Sequence, residues 1–108
     1  MRRGELWTAA GGKHYAGKPR PVLVVQDDRF DATDSITICP LTSDPTEIPL
    51  LRIRLGLESG AGLDQPSSIM VDKLTTMPRS KLGQHIGGVS DTDMLALSRA
   101  LVVFLGLA

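Results

Sequence analysis

The stretch "PVLVVQ", residues 21–26, is apolar at odd and even positions alike. Side chains alternate across a β-strand, so a half-exposed strand alternates apolar with polar residues. A β-branched run that is apolar throughout needs cover on both faces. In a chain of 108 residues, that requirement favours a curved sheet or small barrel over a flat sheet open to water on one side. The pieces around it agree. "GELWTAA" is a short strand candidate, and the glycine-rich "GGKHYAGKP" that follows is a loop. "SITICPLTS" reads as a strand in which Pro40 implies an edge or a bulge. "LLRIRL" alternates, with Leu51, Ile53 and Leu55 on one face and Arg52 and Arg54 on the other. After the glycine-rich "GLESGAGLDQP", "SSIMVDKLTTM" is the longest strand candidate, "PRSKL" fits one helical turn and "QHIGGV" a last short strand.

The tail changes period. Apolar residues recur at Met94, Leu97, Leu101 and Phe104 or Leu105, which is the spacing of an amphipathic helix. Ser90 is placed to cap its start, Asp91 and Asp93 suit the positive end of its dipole, and Gly106 suits its end. The expectation is five or six short strands and one C-terminal helix. It amounts to one domain over 1–108, mainly β, built as a small antiparallel barrel or strongly curved sheet packed by the helix.

Bulk properties exclude more than they identify. The 12 Lys and Arg balance the 12 Asp and Glu, so overall charge does not announce nucleic acid. The distribution is uneven: Arg2, Arg3, Lys13, Lys18 and Arg20 face Glu5 alone in the first 20 residues, and Asp27, Asp28, Asp31 and Asp34 follow. A local basic patch is compatible with that balance. The single cysteine, Cys39, allows no internal disulfide, fits a reducing cytosol and reads as a small buried hydrophobe rather than a nucleophile. No apolar stretch is long enough for a membrane helix. The basic "MRRGELW" carries Glu5 where a secretion signal needs apolar residues. No Cys/His metal set, phosphate loop or nucleophile elbow is present.

Arg20 is the most informative polar residue. Pro19 and Pro21 restrict the backbone on both sides of it. A guanidinium so held is a rigid, permanently charged fork suited to phosphate, or else a strand-end charge paired with a nearby aspartate. Residue types alone leave these two readings even. Thr42 and Ser43 end a strand, where hydroxyls hold a phosphate oxygen or cap a turn. Arg52 and Arg54 either track successive phosphates or keep an edge strand soluble. Asp72, set in the apolar "IMVDKL", must be paired or exposed in a groove. His14 lies in the glycine-rich loop six residues before Arg20, and loops on a rigid scaffold often carry function.

Together, "RRGELW", "GKPRPVLVVQDDRF", "ITICPLTS", "SSIMVDKLTTMPRSKLGQHIGGVSDTDM" and "ALVVFLGLA" resemble the MazF/PemK-type toxins of bacterial toxin–antitoxin modules, in the family's order and over nearly the whole chain. The resemblance implies an SH3-like barrel with a C-terminal helix (the CcdB/PemK-like toxin fold) and a homodimer. It implies metal-independent, cofactor-free cleavage of single-stranded RNA, mRNA foremost, in the cytoplasm. A cognate antitoxin would block the groove with an extended, often acidic segment. The family's functional arginine falls on Arg20, its threonine on Thr42 and its acidic position on Asp72, while His14 matches a histidine of one plasmid-borne branch. Lys18, Ser43, Arg52, Arg54 and Lys73 are the expected RNA contacts. Attack by the ribose 2′-hydroxyl needs a base, an acid and positive charge on the phosphorane. Arg20 suits the charge but scarcely loses a proton, so the proton transfers fall on His14 or Asp72, and Asp72 could instead orient Arg20. With 4% aromatic residues, base stacking carries little of RNA recognition. For the dimer, "PVLVVQ" and the apolar helix are the expected surfaces.

The competing activity on the same fold is gyrase poisoning by CcdB-like toxins, which is associated with a tryptophan near the chain end. Here the one tryptophan is Trp7 and the tail reads "FLGLA".

Overall fold

The computed structural model describes residues 1–10, 18–56 and 59–107. Its strands are β1 (Glu5–Ala9), β2 (Arg20–Val24), β3 (Ser35–Thr42), β4 (Arg52–Leu55), β5 (Ser67–Met70), β6 (Thr75–Pro78) and β7 (Leu82–Gly88), followed by helix α1 (Asp91–Phe104). Every strand pairing is antiparallel. The sheet runs β4-β5-β3-β2-β1-β7, and β6 also pairs with β3. The fold is therefore mostly antiparallel β with a single C-terminal helix, as the patterning requires.

Among the described residues the ladder does not close into a barrel, since β4 and β7 end its path. Ala61 and Gly62, between β4 and β5, instead lie against β7, backbone on backbone. A methyl group on Gly87 would collide with the Ala61 carbonyl, and one on Gly62 with the carbonyl of Ile86. Gly62 also has φ +86°, a conformation that favours glycine. Two residues without a Cβ thus close this side of the molecule.

Both faces of β2 are covered. Leu23 and Val25 join Leu6, Cys39, Leu41, Ile69, Val71 and Leu97 in one core cluster. Val22 and Val24 join Ala9, Ile36, Ile38 and Leu82 in another. Leu97 comes from α1 and is fully buried, so the helix seals the first cluster. This burial takes "PVLVVQ" out of consideration as a dimer surface. The helix end keeps apolar side chains in solvent, with Val103 61% and Phe104 44% exposed.

The helix ends match their sequence signals. Ser90 Oγ accepts from Asp93 N at 3.2 Å. At the other end Gly106, at φ +72°, donates to Val103 O and Leu107 N donates to Val102 O. This double bond pattern satisfies the last carbonyls, and its left-handed residue is a glycine.

Three expectations need correction. First, the described residues form seven strands rather than five or six, because the long candidate at 67–77 is broken by a 3-10 turn at Val71–Lys73 into β5 and β6. Val71 is buried in the core there and its N–H goes to Leu51 O, so packing overrides a strand-forming sequence. Second, Pro40 lies in an interior strand. On its far side β3 pairs with β6 through Ile38 and with β5 from Leu41 onward. Pro40 falls in the gap between those two partners, where a missing N–H breaks no ladder bond. Third, "PRSKL" does form a turn, at Arg79–Lys81, but the last strand starts earlier than "QHIGGV", at Leu82.

Part of the N-terminal basic group is structural. Arg2 pairs with Asp28 at 3.4 Å. Arg3 donates from its backbone to Asp28, and from its guanidinium to the Val25 carbonyl and to Ser98 Oγ. The aspartates after β2 therefore answer part of this charge and anchor the chain start to the helix.

Candidate nucleic-acid interface

Strand register gathers the candidate residues. Opposite residues of an antiparallel pair share a face, and residues two apart along a strand share it too. Val22 faces Pro40, Thr42 faces Ser68, and Ser68 faces Arg54. Arg20 is two residues from Val22, as Thr42 is from Pro40. Continuing that register sets Arg20 across from Thr42. One face therefore carries the row Arg20, Thr42, Ser68, Arg54, with Arg52 two residues along β4 from Arg54. At about 4.8 Å per strand, the row crosses the sheet in about 14 Å.

Each position has a local cause. Arg20 opens β2 between its prolines and is exposed. Thr42 closes β3 and is half-buried. Its Oγ1 accepts from Asp44 N at 3.2 Å, which leaves the hydroxyl proton to offer an anionic oxygen. Ser68 is 3% exposed, and its Oγ takes a bond from Arg54 Nη1 at 3.3 Å. Sequence reading gave Ser68 no role, because its partner comes from a strand pairing that no local pattern encodes.

Arg52, Arg54 and Ser68 line a groove of about 480 Å³, whose other wall is the 45–49 segment with Thr46, Glu47 and Ile48. A second hollow of about 650 Å³ is bordered by Lys18, Arg20, Gln65, Ser67 and Gln84. Arg20 and its row thus lie between two concave surfaces. Gln84 and Gln65, amides suited to a base edge, also escaped the sequence reading, since they are polar residues in ordinary loop or strand contexts.

Asp72 lies in the 3-10 turn after β5, four residues past Ser68 and off the Arg20 row. Its Oδ1 is 2.5 Å from Arg52 Nη1 and its Oδ2 3.8 Å from Lys73 Nζ. Burial pushes this carboxyl up, but the Arg52 bond and charge outweigh that and hold it below its ordinary value. The expected need for a partner is met by Arg52. Lys73 and Ser43 are exposed, and Lys18 is exposed at the rim of the larger hollow. His14 lies outside the described residues.

Other reactive groups fall elsewhere. Cys39 is fully buried, and burial pushes its thiol up to about 12, which makes it inert. His85 stacks on Trp7 with ring centroids 5.3 Å apart and contacts Gly87 O and Glu5. Among the described residues no group of three or more His, Cys, Asp or Glu is placed to hold a metal ion. No described helix is long and apolar enough to cross a membrane.

Comparisons with known proteins bear on the chain as a whole. The chain is 55% identical over 108 residues to "Probable endoribonuclease MazF" of Mycolicibacterium smegmatis, covering 100% of this chain and 99% of that one. It is 30% identical to "Endoribonuclease MazF9" of Mycobacterium tuberculosis, covering 99% and 98%. In fold it is similar to the Mycobacterium tuberculosis toxin MazF-mt6, with TM-score 0.81 at 24% identity over 96% of this chain and 98% of that one. It is equally similar to a mycobacterial endoribonuclease solved in complex with its cognate antitoxin, with TM-score 0.81 at 24% identity over 100% and 97%. The family described as PemK-like, MazF-like toxin of type II toxin–antitoxin system matches residues 2–105, and this chain belongs to it.

Proposed function

We propose that the protein is the toxin of a type II toxin–antitoxin module and acts as an endoribonuclease on single-stranded RNA, mRNA foremost, in the cytosol. The observation that carries this reading is the row Arg20–Thr42–Ser68–Arg54 on one sheet face of a chain 55% identical to a relative named as an endoribonuclease. The toxin domain is taken as the whole of 1–108.

The chemistry follows from the side chains. The ribose 2′-hydroxyl loses a proton and attacks the adjacent phosphorus, and the 5′-oxygen of the next nucleotide leaves and gains a proton. The products are a 2′,3′-cyclic phosphate and a 5′-hydroxyl, with no metal cofactor. Arg20, preset by its prolines, stabilises the charge that develops on the phosphorane. Thr42 donates its hydroxyl proton to a phosphate oxygen. Guanidinium does not release protons in this range, so His14 and Asp72 compete for the proton transfers. Lys18, Ser43, Arg52, Arg54 and Lys73 hold the flanking chain, whose bases must be unstacked to present their edges.

The antitoxin is read as an extended acidic segment that takes the same groove, where it meets Arg52 and Arg54. A homodimer would cover the apolar end of α1. The family match favours RNA over DNA gyrase as the target.

The test is incubation of the purified protein with a synthetic single-stranded RNA in EDTA, with the fragment ends identified. Cleavage to cyclic-phosphate and 5′-hydroxyl ends is expected. Intact RNA together with gyrase-dependent DNA breaks would overturn the reading in favour of a gyrase poison.

A further inference from the structure

We infer that Asp72 is a positioning residue for Arg52, not a proton carrier, and that RNA binding along β4 depends on the pair. The inference rests on the ribonuclease reading and divides the roles within it.

Both oxygens of the Asp72 carboxylate face cations. Oδ1 lies 2.5 Å from Arg52 Nη1, and Oδ2 lies 3.8 Å from Lys73 Nζ. The pair is mostly out of water, with the Arg52 side chain 15% and the Asp72 side chain 20% exposed. The turn that carries Asp72 is itself fixed, because Val71 is fully buried and its N–H bonds Leu51 O at 3.0 Å. Arg52 Nη1 also donates to that same Leu51 carbonyl at 2.9 Å. The backbone of residue 51 and the carboxylate of residue 72 therefore set one end of the guanidinium.

Only that end is occupied among the described residues. A guanidinium carries five N–H donors, so those on Nη2 and Nε remain available on the wall of the groove shared with Arg54 and Ser68. Arg52, Asp72 and Lys73 together carry one net positive charge, Arg54 adds another on the same groove, and Glu47 and Asp44 oppose them. A carboxylate held ionised between two cations is by contrast a poor general base, since a useful base has its pKa near the working pH. Asp72 also lies off the row of Arg20 and Thr42, to which the proposed function assigns the scissile phosphate.

The experiment measures kcat and KM on one synthetic RNA for the full-length wild type, Asp72→Asn, Asp72→Glu, Arg52→Gln and the Asp72→Asn/Arg52→Gln double variant, between about pH 5 and 9. Thermal unfolding of each variant confirms folding. Asp72→Asn is expected to raise KM about tenfold, the loss of one charge-assisted contact, to change kcat by less than about twofold and to leave the shape of the pH profile intact. Arg52→Gln should match it, and the double variant should be no worse than Arg52→Gln alone, because both changes remove one interaction. Asp72→Glu should recover part of the affinity. Where Asp72→Asn fails to fold, Asp72→Glu is read on the same axes: its loss must appear in KM and not in kcat.

A kcat loss of about a hundredfold or more, or the disappearance of one limb of the pH profile, makes Asp72 a proton carrier and overturns the inference. Additive effects in the double variant overturn it as well, because Asp72 would then act independently of Arg52. A wild type inert on that RNA and on a pool of random-sequence RNA would overturn the ribonuclease reading and this inference with it. A wild type that cleaves while the variants defy these expectations sinks the inference alone.

Discussion

Arg20 and Arg52 lie on the same sheet face and are held in opposite ways. Arg20 opens β2 exposed, with a proline on each side, so its backbone is stiffened by local sequence. Arg52 opens β4, which ends the sheet's path, and its side chain is fixed by a carboxylate 20 residues away. The first device is local, since two flanking prolines are enough to restrict the backbone at Arg20. The second depends on the whole fold, since β4, β5 and the turn after β5 must all be in place. The difference separates a residue suited to the reacting phosphate from one suited to holding the chain that flanks it.

The largest expected effect comes from Arg20. Arg20→Ala should lower RNA cleavage by about a hundredfold to a thousandfold, the usual loss of a preorganised charge at the transition state. Its unfolding curve should change little, because the side chain is exposed. Arg20→Lys should not restore full rate, since a point charge cannot replace a planar fork. Unchanged cleavage in either variant would break the comparison at once.

Next comes the glycine seam that holds Ala61 and Gly62 against β7. Gly87→Ala forces a methyl group into the Ala61 carbonyl and should lower Tm by about 10 °C, measured by circular dichroism. In the folded fraction, kcat should suffer more than KM, because Gly62 borders the hollow that Arg20 lines and not the groove of Arg52.

A smaller effect sharpens the role of Asp72 through stability. Its carboxyl is held below the ordinary 3.8 in the folded protein. The stabilisation is therefore present at neutral pH and is lost as pH falls below 3.8 and through the lower folded value. Urea unfolding should show wild type ahead of Asp72→Asn by about 1 kcal/mol at pH 7, with the gap closing towards about pH 2. A constant gap would mean that the pair is not what stabilises this turn. The smallest expected effect is that of Ser90→Ala, which removes an N-cap and should cost about 1 kcal/mol or less. It should leave both kcat and KM alone, as neither arginine depends on the helix start.

Sequence reading reached what local chemistry controls. The double-sided burial of "PVLVVQ", the Ser90 cap and the Gly106 terminus are all set by neighbouring residues. It failed where partners are distant in the chain. Ile69, Met70 and Val71 read as one strand with Leu74 and the threonines after it, and the 3-10 break comes from the burial of Val71 and its bond to Leu51. Pro40 looked like an edge marker because the exchange of β6 for β5 beside it is a tertiary event. Ser68 went unnoticed for the same reason, as its importance lies in facing Thr42 on one side and Arg54 on the other. The paired state of Asp72 was legible as a need, but its partner was not.

The central claim is that the two arginines do different work on one RNA. Single-turnover cleavage by Arg20→Ala and Arg52→Ala, followed across RNA concentration, tests it directly. Arg20→Ala should bind RNA nearly as well as wild type and cleave it slowly even at saturation. Arg52→Ala should cleave at nearly the wild-type rate once enough RNA is added. If both variants lose affinity alone, or both lose the saturated rate alike, the division between reacting and holding arginines is contradicted.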